Sequence, residues 1–258
     1  MNLSAMTLTV FCILLFAALL HASWNAIVKA SGDKMYAAIG VSGSAALIAL
    51  VMLPFAPQPA LASAPYLLAS CALQVVYTVL VAAISVLFLG DRLSPLAWLG
   101  IGVICLAILA MAFNGRASSR KGIVLALINA CFIAGYTLVD GTGVRLAGSA
   151  LGYTLWTFFM NGFCLLCWAM VARRREASRY LRQHWKKGIL GGIGTMGSYG
   201  LALWAMTQAP LAVVAALRET SILFGALIAF IVLKEQLMPL RIVAACGIAA
   251  GAILLRLA

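Results

Sequence analysis

Arg218-Glu219-Thr220 is the most pointed chemical feature of this sequence, because it stands inside an apolar run from 210 to 233. Charged side chains are costly in such surroundings unless they find partners or face a wet cavity. Adjacent helical positions diverge by about 100°, so Arg218 and Glu219 cannot share one face. One of the two charges could meet a substrate carboxylate or amine, and Glu219 could carry a proton. Equally, the pair could be a fixed ion pair that orders the helices. A second group lies near the start of the chain, where His21, Trp24, Asn25 and Val28 follow i, i+3, i+4, i+7 spacing on one helix face. Ile133, Tyr136, Thr137 and Asp140 repeat that spacing, with Asp140 expected near a helix end as a solvated or capping group. Ser70, Gln74 and Tyr77 form a further stripe, matched by Met196 and Tyr199, with Trp204 beyond. Aromatic walls of this kind suit an amphipathic organic solute or a cation. The plainer alternatives are an aromatic belt, packing and interhelical hydrogen bonds. Trp156 and Asn161 are about a turn and a half apart and need not share a face. For Asn161 an interhelical hydrogen bond is expected.

Other chemistries are excluded. The seven cysteines all lie in apolar runs, where they pack as small hydrophobes. Cys164 and Cys167 have CxxC spacing, but neither a second pair nor a nearby histidine completes a metal site. Gly192-Ile193-Gly194-Thr195-Met196-Gly197 fits a dinucleotide string, yet no strand precedes it. With Gly188 and Gly191 it reads as a small-residue face for close helix contact, and Gly247 and Gly251 read the same way on the last helix. No phosphate-binding GxxxxGK[ST] loop is present. No cofactor and no metal are expected. An enzyme acting on lipids would need clustered Asp, His or Ser, whereas six acidic residues are spread along the chain and the two histidines, His21 and His184, stand apart.

These residues must be positioned by membrane helices. Of 258 residues, 65% are hydrophobic and 9% charged, and the mean hydropathy is +1.09. A soluble domain carries about a quarter charged residues. One spanning helix needs about 20 apolar residues, so ten spans fill roughly 200 and leave no room for a soluble domain. The apolar runs lie near 5–28, 35–55, 64–80, 81–90, 95–113, 121–140, 150–171, 187–207, 210–233 and 238–257. All must be helices, since an open sheet cannot satisfy its backbone in lipid. No Lys or Arg precedes the apolar stretch from Met6 to Leu20, which reads as the first helix instead of a signal peptide. The net charge of +12 sits mostly in the loops, where it sets topology; nucleic acid is not an expected partner.

The spans repeat. Leu89-Gly90-Asp91-Arg92-Leu93-Ser94-Pro95-Leu96 matches Leu233-Lys234-Glu235-Gln236-Leu237-Met238-Pro239-Leu240 at an offset of 144. Ala22-Ser23-Trp24 against Ala134-Gly135-Tyr136 gives 112, Tyr36 against Tyr153 gives 117, and Tyr77 against Tyr199 gives 122. The chain therefore reads as two five-helix units, 1–114 and 115–258, and an odd helix count makes the copies inverted. The jump from 122 to 144 is 22 residues, between Leu80 and Val81. It reflects either a true deletion, leaving nine helices, or an omitted segment. Ten spans put 13 basic loop residues on one face against three, and nine spans put 11 against five. The positive-inside rule thus favours ten spans and an omitted segment, with the basic loops cytoplasmic. Asp91 and Glu235 end equivalent helices and read as interface residues.

Residues 210–257 resemble the last two helices of an EamA domain of the drug/metabolite transporter superfamily, through Pro210, Ala215, Leu217-Arg218-Glu219-Thr220-Ser221, Leu233-Lys234-Glu235-Gln236-Leu237, Gly247 and Gly251. Gly90-Asp91-Arg92-Leu93 is similar to the same helix-end motif in the first copy. The resemblance implies an all-α integral membrane protein of ten transmembrane helices in two inverted repeats, with no enzymatic activity. Within the superfamily the chain is most similar to bacterial amino-acid exporters. That likeness implies an inner-membrane carrier exporting small polar metabolites, amino acids first, by alternating access through a cavity between the repeats. The alternatives are export of drugs or other cationic compounds, and transport of a lipid-linked sugar. His21, Trp24, Asn25, Gln74, Tyr77, Tyr136, Trp156, Tyr199, Trp204, Arg218 and Glu219 are the residues expected to bind substrate. The expected partners are the solute, the lipid bilayer and a coupling proton, and a monomer is expected before a dimer. The chain departs from the family pattern in lacking the start of the fourth helix in its first copy, which in the family lines the cavity.

Overall fold

The computed structural model describes residues 7–73, 95–96, 99–100, 102–103, 106, 120–232, 234 and 239–257. Among these residues every regular element is a helix, and there is no strand. The first, α1 (Leu8–Lys29), begins at Thr7, whose side chain accepts from the Val10 amide. Asp33 caps α2 (Lys34–Met52) by accepting from the Met35 and Tyr36 amides. The chain then crosses two short 3₁₀ turns into α3 (Ala64–Leu73). The long α4 (Arg120–Leu146) hands over to α5 (Ala150–Ala172) through Gly148 at φ +69, a left-handed turn that glycine adopts without steric cost. Ser149 then caps α5. The remaining helices are α6 (Arg174–Met206), α7 (Leu211–Arg218), α8 (Ser221–Ile231) and α9 (Pro239–Leu257).

Five segments are long and apolar enough to cross a membrane: Leu8–Lys29, Lys34–Phe55, Ala150–Ala172, Arg174–Met206 and Leu211–Ile231. The ten-helix count is therefore not reached among the described residues. The run expected at 81–90, the Leu80–Val81 junction, Asp91 and Glu235 lie outside them. Two expectations are corrected. The basic stretch 173–187, expected as an irregular connection, is mostly helical: α5 ends at Ala172, and α6 begins at Arg174 and kinks at His184 (φ −121, ψ 20) before its apolar part. Conversely, the span expected as one helix from 210 to 233 is divided at Glu219–Thr220.

Where α1 and α2 pack, small residues are buried while large apolar residues stay on the outside. Ala17, Ala18, Ala22, Ala45, Ala46 and Ala49 are buried, while Phe16, Leu47, Leu50, Val51 and Val171 are exposed. Small residues inside and large apolar residues outside are what lipid-embedded helices need, since close backbone approach supplies their association. α2 packs on α5 and α6, α1 packs on α6 and α8, and α3 packs on α4. The small-residue face expected on α6 makes its contact as anticipated: a Cβ on Gly192 would lie 2.9 Å from the Ala45 amide nitrogen of α2. Gly251 likewise packs within the molecule, its carbonyl lying 2.9 Å from where a Cβ on Gly100 would sit.

Lys29, Lys34, Arg173 and Arg174 gather where α1, α2, α5 and α6 meet one end of the bundle. The largest apolar cluster lies toward the other end and includes Val144, Tyr153, Leu203, Met206, Leu211, Val214 and Leu217. Arg145 ties that end together, donating from Nε to the Met206 carbonyl (2.8 Å) and from Nη2 to the Ala209 carbonyl (3.1 Å).

Candidate functional site

A cavity of about 240 Å³ opens between α1, α2, α4, α5, α6 and α7. It lies near mid-membrane: Asn161, in its wall, stands eleven residues from either end of α5 (150 to 161, 161 to 172). At 1.5 Å per residue that is about 16 Å from each surface. The aromatic part of the wall is Trp24, Tyr136, Phe158 and Tyr199, and the polar part is His21, Ser42, Asn161, Thr195 and Arg218. His21 and Trp24 meet edge to face with centroids 5.3 Å apart. Tyr199 meets Tyr136 and Phe158 edge to face, each at 6.1 Å. α5 comes close to α2 beside this space, because a Cβ on Gly162 would run into the Ser42 carbonyl oxygen.

Arg218 is 7% exposed, and its guanidinium carbon sits 5.0 Å from the Tyr199 ring centroid. A desolvated guanidinium over an aromatic face is held by the ring quadrupole. Near it, two buried nitrogens, Trp24 Nε1 and Asn161 Nδ2, meet no acceptor among the described residues. An unmet buried donor costs about 1–3 kcal/mol. Two of them beside a guanidinium make a site that favours an acceptor, and a carboxylate fits that donor set best.

Beneath the cavity, Asp140 is fully buried. The Tyr153 hydroxyl donates to its Oδ1 at 3.0 Å, and the Tyr199 hydroxyl donates to its Oδ2. The expectation of a solvated or capping aspartate is thus overturned. α4 continues six residues beyond Asp140, to Leu146, which puts the carboxylate inside the bundle instead of at its rim.

The break between α7 and α8 falls on the charged triplet. Across it the backbone switches to i→i+3 bonds: Glu219 to Ala216 and Thr220 to Leu217, both 3.1 Å, then Ile222 to Glu219 (3.0 Å) and Leu223 to Thr220 (2.9 Å). The Thr220 hydroxyl also donates to the Leu217 carbonyl at 2.7 Å. A 3₁₀ turn inside a span is tolerated where protein or a wet cavity surrounds it. Arg218 lies on the cavity side of this turn, whereas Ser221, just past it, lines a second space of about 440 Å³ between α1 and α8. His21 lines both spaces, and the second extends along α1 to Lys29.

Of the residues expected to bind substrate, His21, Trp24, Tyr136, Tyr199 and Arg218 converge on the central cavity. Asn25 lines the second space, with its amide donating to the His21 carbonyl at 2.9 Å. Glu219 is half-buried at the helix break and does not line the central cavity. Trp156 points away from it, donating from Nε1 to Gln58 at 2.8 Å in a separate pocket. Trp204 packs against the apolar cluster. Gln74 and Tyr77 lie outside the described residues. Asn161, expected in an interhelical hydrogen bond, is instead in the cavity wall with its amide nitrogen unmet. Ser42 and Thr195 were not anticipated; Ser and Thr in a span carry little signal, since they can satisfy themselves on the i−4 carbonyl.

Apolar helices of membrane length around a polar, aromatic-walled cavity at mid-depth define a multi-pass membrane carrier. Residues 120–257 match the model of the EamA-like transporter family, and the chain belongs to that family. It is thus a membrane transporter of the drug/metabolite transporter superfamily. No curated protein matches the chain.

Proposed function

We propose that this transporter is a bacterial inner-membrane carrier that exports small metabolites bearing a carboxylate, amino acids first. It works by alternating access between two inverted five-helix units divided near residue 114. The observation that carries this reading is that three donor-bearing residues, Arg218, Trp24 and Asn161, line one mid-membrane cavity. These groups suit the carboxylate, and the faces of Tyr136, Phe158 and Tyr199 suit an apolar side chain or an ammonium group. A cationic drug is a poorer fit, because Arg218 would share the cavity with a like charge in low dielectric. Below the cavity lie the packed cluster and the Asp140–tyrosine bonds, whereas the second space continues from His21 toward Lys29. This geometry supports a state open to the basic, cytoplasmic side. With no nucleotide-binding loop in the sequence, transport is either coupled to an ion gradient or runs downhill, and Glu219 at the helix break is the proposed proton carrier for coupling.

The test is flux into proteoliposomes containing the purified protein, with labelled amino acids, with and without a proton gradient. Uptake above that of empty liposomes, competed by unlabelled amino acids and gradient-dependent only while Glu219 is present, is the expected result. Movement of a quaternary cation or a lipid-linked sugar, with no amino acid moving, would overturn the substrate class.

A further inference from the structure

An apolar groove of about 330 Å³ runs along the outside of α2, away from the central cavity. Its floor is bare because Gly40, Gly43 and Gly188 present no side chains there. Its lip carries Leu47, Trp185 and Ile189, which are 57%, 56% and 40% exposed. From Ala37 to Leu47 it follows ten residues of α2, about 15 Å at 1.5 Å per residue. That length is half of a hydrocarbon core of about 30 Å, the depth of one leaflet.

The mouth of the groove is charged. Lys187 lines it, and the kink at His184 sits at the same level. Before the kink, α6 is amphipathic: Ala177 and Tyr180 pack against Tyr36 and Ala169, while Arg175, Arg179 and Arg182 are exposed. Lys186 lies 5.8 Å from the centroid of the Trp185 ring. Interfacial tryptophan, lysine and an arginine-rich amphipathic helix are the hallmarks of the headgroup region. A polar solute has almost nothing to bind along the groove itself, whereas an acyl chain fills it and an anionic headgroup meets the lysine above.

We propose that this groove is a binding site for one anionic phospholipid, with its phosphate at Lys187 and one acyl chain between α2 and α6. The phosphate would pair with Lys187, and the chain would cover Leu47 and Ile189. This assignment is independent of the transported substrate.

Native mass spectrometry of the full chain in detergent tests it, with phosphatidylglycerol or phosphatidylcholine of identical acyl chains added in turn. The expected result is retention of one phosphatidylglycerol in preference to phosphatidylcholine. Lys187→Gln should weaken that first binding about fivefold, the share of one interfacial basic residue. Arg174→Gln removes the same charge outside the groove and should leave the first binding unchanged. Equal binding of both lipids, no effect of Lys187→Gln, or an equal loss in the two variants would each overturn the site.

Discussion

The guanidinium of Arg218 lies over the ring of Tyr199, 5.0 Å from its centroid, while the hydroxyl at the far end of that ring donates to Asp140. One tyrosine therefore separates the buried cation that faces the cavity from the buried carboxylate beneath it. The ring's face is used by one group and its edge by the other, so the two functions can be separated by mutation.

Tyr199→Phe keeps the face under Arg218 and removes the donor to Asp140. It should cost about 1–3 kcal/mol, the penalty for leaving a buried acceptor short of a partner. Tyr153→Phe should cost a similar amount, and because both bonds end on Asp140 the double variant should be non-additive. Thermal unfolding of the four proteins in one detergent measures this. An unchanged Tm in both single variants would mean that the tyrosines do not hold the aspartate.

Arg218 should discriminate by substrate chemistry. Arg218→Gln should lower transport efficiency for a carboxylate-bearing solute about 10- to 150-fold, the range of a hydrogen bond to a charged group. Arg218→Lys should recover part of this, since the charge returns without the planar fork that stacks on Tyr199. The matched amine without a carboxylate should be affected far less. Equal losses for both solutes in the flux assay would make Arg218 a structural cation.

The sequence revealed the helices and much of the cavity because both rest on residue type. The repeated spacing of His21-Trp24-Asn25 and Ile133-Tyr136-Thr137 brought forward Trp24 and Tyr136, which face the same cavity. Two things were hidden. The apolar run ends at 140, yet small residues such as Gly141 and Gly143 continue a membrane helix where it packs closely, and Tyr153 lies against Gly143. The break at Glu219–Thr220 contains no glycine or proline to announce it, and its i→i+3 bonds are a tertiary choice made around Arg218. Trp156 erred the other way: its indole looked suited to the cavity, but the α5 face that carries it turns toward Gln58.

Trp24→Phe and Asn161→Leu should separate binding from stability. Each removes a buried donor that meets no acceptor among the described residues. Stability should be unchanged or slightly higher, while KM for the carboxylate solute rises about tenfold or more per variant, the worth of one hydrogen bond to a charged group. Thermal unfolding and flux on the same preparations decide it. A fall in Tm with unaltered KM would show that these donors serve the folded protein instead of the solute.

Gly162 sets how closely α5 approaches α2 at the cavity wall. A Cβ there meets the Ser42 carbonyl oxygen, a backbone atom that no rotamer change can move. Gly162→Ala should therefore force the two helices apart at a cost of about 1–3 kcal/mol, the usual penalty for overpacking. Gly225→Ala, on α8, is the matched control, because a Cβ at that position meets nothing within 4 Å. Since Gly162 and Ser42 both line the cavity, the displaced wall should also change solute selectivity in whatever protein still folds. Size-exclusion profiles and Tm of the two alanine variants in detergent test the packing claim, and a Gly162→Ala protein as stable as Gly225→Ala would refute it.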